Sequence, residues 1–262
     1  MILFVDRPRL AVFWPFAFLL LLLPLGAPLL AGLRLLDSGI CAQLPGHMLM
    51  PGGVTLPLCA RNTGIYTGAA LAFGILRAEG RQRAMLPPTP RLIALLLTLI
   101  AMMGLDGLNS VATDLALPHL YAPSNAARLA TGLGAGMALA LLLAPVIARA
   151  HYGDLDQRPP LEHAVGLLRY LGAALIAFAV IWSVAPWTLY PIALLSNAGL
   201  LAVVIGVNRI AVAAIGGVAG NVRHPRLSSS ITSVTLVCIG IGELALLAGL
   251  KVLLLGPQMI GA

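Results

Sequence analysis

Charge is what this sequence has least of. Only 10% of its 262 residues are Asp, Glu, Lys or Arg, against about 25% in an ordinary soluble domain. Hydrophobic residues make up 60%, and the mean hydropathy is +0.97. No soluble core of this size hides so much apolar surface, so the solvent for most of the chain must be lipid. The apolar runs are continuous, not alternating, which selects helices over a membrane barrel. Acidic residues are the scarcer sign, 9 against 16 basic ones, for a net charge of +7. A basic balance can serve nucleic acid. Here there is no basic tail and no basic stripe interleaved with aromatics, so nucleic acid is excluded as a partner. The sequence also lacks a nucleophile elbow, a phosphate loop, an H-E-x-x-H motif and paired carboxylates. No catalytic residue and no cofactor is therefore expected.

What is present is a series of long apolar runs. The expected fold is an all-α polytopic membrane protein forming one integral domain over residues 1–262. Its roughly seven spans lie near 10–33, 63–77, 92–112, 126–148, 166–185, 188–216 and 231–255. The run Leu10–Leu33 follows Arg7 and Arg9 but exceeds the roughly 7–15 residues of a signal core, so it is read as the first span. Pro15, Pro24 and Pro28 mark kinks in it. The fifth and sixth spans are parted by a turn at Pro186 and Trp187. The third is expected to end early, because Asp106, Asn109, Ser110 and Asp114 crowd its second half. Glycines four apart, Gly64 with Gly68 and Gly132 with Gly136, are expected to let helix backbones approach closely in lipid.

Arginine placement gives an orientation. One side of the expected topology holds Arg7, Arg9, Arg77, Arg81, Arg83, Arg91, Arg149, Arg158, Arg169, Arg209, Arg223 and Arg226. The other holds Arg34, Arg61, Arg128 and Lys251. The positive-inside rule then puts the N-terminus in the cytoplasm and the C-terminus outside. Residues 34–62 form an outer loop, and 78–91 and 149–165 form cytoplasmic loops. A prokaryotic inner membrane is the expected location.

The outer loop is the most informative stretch. Cys41 to Gly68 reads CAQLPGHMLMPGGVTLPLCARNTGIYTG, polar and punctuated by glycine and proline between two apolar runs. Within it, Leu56-Pro57-Leu58-Cys59-Ala60-Arg61-Asn62-Thr63-Gly64-Ile65-Tyr66-Thr67-Gly68 resembles the signature of the membrane family called domain of unknown function 2085. Cys41-Ala42-Gln43 is similar to that family's upstream Cys-His-Gln. A second block, Leu105-Asp106-Gly107 with Ser124, Asn125, Arg128, Thr131 and Gly132, resembles it more weakly. The resemblance covers residues of about 38–140. It implies a polytopic membrane protein and assigns no activity.

The resemblance also implies a loop site of three cysteines and one histidine, a set that suits zinc or another soft metal. This chain departs from it, with Ala42 in the histidine position and Asn62 in the last cysteine position. His47 is a possible substitute, but two cysteines and one histidine leave a tetrahedral site incomplete, so no bound metal is expected. Three readings of the remaining pair, Cys41 and Cys59, stay open: a structural disulfide, two free thiols, or a redox or metal role. A bridge would close a loop of about 18 residues and contribute about 3 kcal/mol in the chain-entropy model. Cys238, in the last span, is read as a small buried apolar residue.

Ionisable groups within spans are functional candidates, because burying them costs several kcal/mol. Asp106 and Arg128 are expected to pair between the third and fourth spans. Alternatively, Arg61, Asp106 and Arg128 line an outward pocket for an anionic headgroup or ligand. Glu243 lies near the middle of the seventh span, with Asn197, Asn208 or Ser233 as candidate partners. Three functional classes follow. The leading one is a non-enzymatic accessory or structural subunit of a larger membrane complex, with the bilayer and other membrane subunits as partners. The others are a carrier of a small ligand or ion using Glu243, and an outer-face metal-handling or redox protein using the Cys41 and Cys59 loop.

Overall fold

A computed structural model describes residues 26–152, 154–215 and 230–256. Every regular element among the described residues is a helix: α1 Gly26–Asp37, α2 Ala60–Ala78, α3 Pro90–Asp114, α4 Asn125–His151, α5 Ala164–Trp182, α6 Leu189–Ile215 and α7 Ser230–Leu255. Single 3-10 turns at Pro45–His47 and Pro51–Gly53 shape the loop between α1 and α2, and Pro186–Thr188 leads into α6. Residues 10–25 of the first expected span, with Pro15 and Pro24, lie outside the described residues. Arg223 and Arg226 do as well.

Five helical segments are long and apolar enough to cross a membrane: Pro90–Asp114, Asn125–His151, Val165–Trp182, Pro186–Ile215 and Val234–Leu254. Their outer surfaces are apolar. Leu105 is 61% exposed, Leu108 71% and Leu253 81%, values that suit contact with lipid and not with water. Cys238 corrects the sequence reading: it is exposed on α7 instead of buried.

Helix α2 is short and rich in small residues, and it sits at the centre. Its main neighbours are α4 and then α6, while α3 and α5 flank α4, and α7 lies against α6 and α1. Small residues explain how α2 fits there. A Cβ added at Gly64 would stand 2.6 Å from the Leu129 carbonyl oxygen and 2.9 Å from the Leu133 nitrogen. Across the contact, a Cβ at Gly136 would stand 2.6 Å from the Ile65 carbonyl carbon. Each glycine pair thus receives the backbone of the other helix, the close approach that lets packing hold helices together without a hydrophobic drive between them. Gly199 of α6 meets the Tyr66 carbonyl in the same manner.

The third expected span does not end early. Helix α3 continues to Asp114, because the polar residues that crowd its second half find partners inside the bundle: Asp106, Asn109 and Ser110 are all buried. Helix α2 stops where Gly80 adopts φ 69°. The Arg81 nitrogen donates to the Leu76 carbonyl at 2.7 Å and the Gly80 nitrogen to that of Arg77 at 3.1 Å, a Schellman closure.

The two ends of the bundle differ. At one end the α2–α3 and α4–α5 loops clasp each other. The Met85 nitrogen donates to the Asp156 carbonyl at 3.0 Å, and the Asp156 nitrogen donates to the Arg83 carbonyl at 2.9 Å. Ion pairs of Arg81 with Glu162 at 3.3 Å and of Arg169 with Glu79 at 2.6 Å surround this clasp. The opposite end carries the loop with Cys41 and Cys59.

Candidate functional site

The 38–59 loop folds down onto the bundle. The Cys41 nitrogen donates to the Asp37 carbonyl at 2.9 Å, continuing the turn that ends α1. Gln43 takes φ 55°, and its side-chain amide donates to the carbonyls of Arg34 at 2.9 Å and Pro57 at 2.8 Å. The left-handed residue turns the chain, and the amide ties the two arms of the loop together. On the return arm Leu56 and Leu58 are fully buried, and the Leu56 nitrogen donates to the Leu49 carbonyl at 3.0 Å. Met48 and Cys59 form an isolated antiparallel bridge. Cys59 then caps α2.

This geometry brings the two cysteines together as free thiols. The Cys59 nitrogen donates to the Cys41 sulfur at 3.4 Å. The two thiols are not equivalent. Cys41 falls to about 6, first because the Cys59 thiol donates to it; burial opposes the shift, and further donors are the backbone N–H groups of Cys59 and Gln43 and the Asn62 amide. Cys59 moves the other way, raised chiefly by giving its hydrogen to Cys41 and then by burial. The Asn62 amide also donates to the Ile40 carbonyl at 3.4 Å, and the Lys251 ammonium donates to the Cys41 carbonyl at 3.1 Å. Cys41 is 5% exposed.

Asp106 does not pair directly with Arg128. Its partner is Arg61, whose guanidinium lies 2.7 Å from the Asp106 carboxylate. The reason is positional: α2 begins at Ala60, ahead of the expected start at 63, so Arg61 occupies its first turn and faces α3. Tyr121 donates its hydroxyl to the other Asp106 oxygen at 2.7 Å. Ser110 bridges the two arginines, accepting from Arg61 at 2.8 Å and from Arg128 at 3.4 Å. Arg128 also donates to Asn125 at 2.9 Å and to His47 Nε2 at the same distance. Burial and the Arg128 charge hold His47 below its ordinary value, so its neutral form accepts at Nε2, with the proton on Nδ1. Asp114 lies 3.2 Å from the same nitrogen. Two arginines thus face two carboxylates, and the network balances its own charge.

His47 belongs to this network and not to the thiol pair. Ala42 is exposed while Cys41 and Gln43 are buried. Asn62 stands beside the thiols. Among the described residues, no group of three or more His, Cys, Asp or Glu side chains is placed to hold a metal ion.

Glu243 is remote from both groups. It accepts from the Asn208 amide at 2.9 Å between α6 and α7 and is exposed at the bundle surface. Asn197 instead donates to Asp37 at 3.2 Å. Asp37 itself, wholly buried, is not apparent from motif reading. Its sequence signal is that it stands four residues before Cys41 as the first acidic group after a long apolar run.

Residues 41–142 match the family model described as a predicted membrane protein (DUF2085). The match begins at Cys41 and takes in α2, α3 and most of α4, the helices that build the thiol pair and the arginine network. No curated protein and no solved structure matches the chain.

Proposed function

We propose that the Cys41 and Cys59 pair is a redox-active dithiol, exchanging with disulfides of other molecules on the outer face of a cell membrane. The observation that supports this reading is that two free thiols are brought side by side, with the Cys59 nitrogen donating to the Cys41 sulfur at 3.4 Å. Thiol–disulfide exchange needs one thiolate to attack and a second thiol to resolve the mixed disulfide. A Cys41 sulfur held near 6 supplies the first at neutral pH, and its hydrogen-bonded neighbour Cys59 supplies the second. Departure of the chain from a four-ligand pattern at Ala42 and Asn62 leaves these two sulfurs as the reactive groups of the loop.

The test uses the full chain carrying Cys238→Ala in detergent micelles, equilibrated against oxidised and reduced dithiothreitol and then alkylated. The expected result is reversible formation of a Cys41–Cys59 disulfide, with a midpoint between about −120 and −270 mV, the range of exchange-active pairs. A midpoint below about −300 mV would identify a structural bridge and defeat the reading.

The reading requires the loop to face an oxidising compartment. The supporting argument is the arginine asymmetry, with seven spans and a cytoplasmic N-terminus in a prokaryotic inner membrane. Membrane-impermeant reporters at residues 52 and 81 test it: labelling of 52 alone is expected from intact cells. Labelling of 81 alone would place the thiols on the reducing side.

A second reading, an accessory subunit of a larger membrane complex, draws on one observation. Glu243 lies exposed near the middle of α7, where a lipid-facing carboxyl costs about 2.5–3.5 kcal/mol. A neighbouring subunit would cover it. Co-purification in mild detergent tests this, and Glu243→Gln should leave the association unchanged only if the reading is wrong.

A further inference from the structure

Beside the thiol pair lies a carboxyl that the exchange reaction leaves unexplained. Asp37 is 0% exposed, and none of the ion pairs among the described residues includes it. One of its oxygens accepts from Asn197 at 3.2 Å. Among the described residues the other, Oδ1, is buried with no hydrogen-bond partner. A carboxylate in that state is costly, whereas a carboxylic acid is tolerable. Its main chain is joined to Cys41 by the bond from the Cys41 nitrogen. The groups that face this region from each element are few. Arg34 on α1 is engaged with Thr55, and Arg61 on α2 is engaged with Asp106. Tyr66 on α2 interacts electrostatically with Asp37, Cys41 and Cys59. α6 contributes the neutral Asn197, and α7 contributes Lys251 through the Cys41 carbonyl.

We propose that Asp37 is the proton-exchanging group of the Cys41 and Cys59 couple, protonated when the pair is reduced and ionised when it is oxidised. This rests on the redox reading above and adds a residue to it. The reaction balances as follows. The Cys41 thiolate attacks one sulfur of an incoming disulfide, and the other sulfur departs as a thiolate. Cys59 then attacks the Cys41 sulfur of the mixed disulfide, and the second incoming sulfur departs. Two electrons pass to the incoming molecule, and its two thiolates need two protons. Cys59 releases one and Asp37 the other. The reduced site holds one thiolate, one thiol and one carboxylic acid. The oxidised site holds a disulfide and one carboxylate. The buried charge is −1 in both states, so oxidation leaves the net charge of the site unchanged. Asp37 lies beyond the first expected span, and burial raises it to about 7, with the Cys41 charge adding to the shift. Loss of the Cys41 thiolate on oxidation removes that contribution and favours ionisation.

The experiment compares the full chain with its Asp37→Asn variant, both carrying Cys238→Ala, in dithiothreitol redox buffers across pH. Between the Cys41 value of about 6 and the Asp37 value of about 7, the unaltered site should release two protons per disulfide. Its equilibrium constant against dithiothreitol, which takes up two protons on reduction, should not change with pH, and that of Asp37→Asn should fall about tenfold per pH unit, a slope difference of about 30 mV per pH unit. Equal slopes would overturn the proposal while leaving the redox reading intact. Absence of any Cys41–Cys59 disulfide in the unaltered chain would defeat the redox reading, and the proposal with it. Should Asp37→Asn fail to fold, reduced-minus-oxidised infrared difference spectra of the unaltered chain decide the matter. A protonated-carboxyl band lost on oxidation, and assigned by isotope-labelled aspartate, is the expected result. An unchanged carboxyl band would overturn the proposal.

Discussion

Replacing Gly136 by alanine should separate the two helices at the centre of the bundle. The new Cβ would stand 2.6 Å from the Ile65 carbonyl carbon, and all its nearest neighbours are backbone atoms of α2. Backbone cannot rotate away as a side chain can. Ordinary contact begins at 3.4 Å, so α2 and α4 must part by at least 0.8 Å at this level. A gap of 0.5–1 Å forfeits roughly a quarter to a half of each dispersion contact along the seam. Overpacking of this kind costs about 1–3 kcal/mol. Gly74 provides the control on α2 itself. A Cβ there meets nothing within 4 Å, so Gly74→Ala should gain about 0.5–1 kcal/mol through lower backbone entropy. The two substitutions make the same chemical change with opposite expected signs, and should differ by about 1.5–4 kcal/mol. Reversible unfolding in mixed micelles, driven by an anionic detergent and followed by circular dichroism, measures both. Equal effects would refute the close-approach argument.

Three further outcomes are expected. Alkylation of Cys41 by iodoacetamide should reach half its limiting rate near pH 6; Cys59→Ala removes the main donor and should move that midpoint upward, while an unmoved midpoint would show that Cys59 does not acidify its neighbour. Arg61→Ala should cost about 3–5 kcal/mol by leaving Asp106 buried and unpaired, and Arg61→Ala with Asp106→Ala should cost less than the sum of the singles; additivity in the unfolding titration would refute the pair. Purified protein should carry no stoichiometric zinc, with elemental analysis as the check; zinc in the unaltered protein would refute the incomplete ligand set.

Much of the fold was legible because lipid imposes simple rules. Long apolar runs locate α3 to α7 within a few residues, and the spacing of Gly64, Gly68, Gly132 and Gly136 forecast a close helix contact. The site was less legible, since partner choice depends on rotation about helix axes and on exact starts. Arg61 sits at the helix start, where a shift of three residues decides what it faces, so Arg128 looked like the natural partner of Asp106. Asn109 suggested a frayed helix end, because its partners on the Tyr121 loop lie beyond the helix. Asp37 is not legible in the sequence because no motif contains it; its setting comes from Asn197, 160 residues away, and from an Oδ1 that meets no donor among the described residues. Gln43, part of the family-like Cys-Ala-Gln, acts as a brace for the loop, a role visible only once its left-handed backbone and two carbonyl partners are known.

The clasp between the two arginine-rich loops has a consequence for biosynthesis. Its halves, around Met85 and Asp156, are both translated before α5 begins. Hydrogen bonds between them tie the α2–α3 hairpin to α4, and the glycine seam between α2 and α4 closes with no contribution from later helices. A nascent chain therefore holds all the parts of this three-helix unit before any later helix is made. Helices α6 and α7 dock onto it afterwards, bringing Asn197 to Asp37 and Lys251 to Cys41. The thiol pair is accordingly finished last, so a ribosome stalled before α6 displays the cysteines without the buried surroundings that govern them.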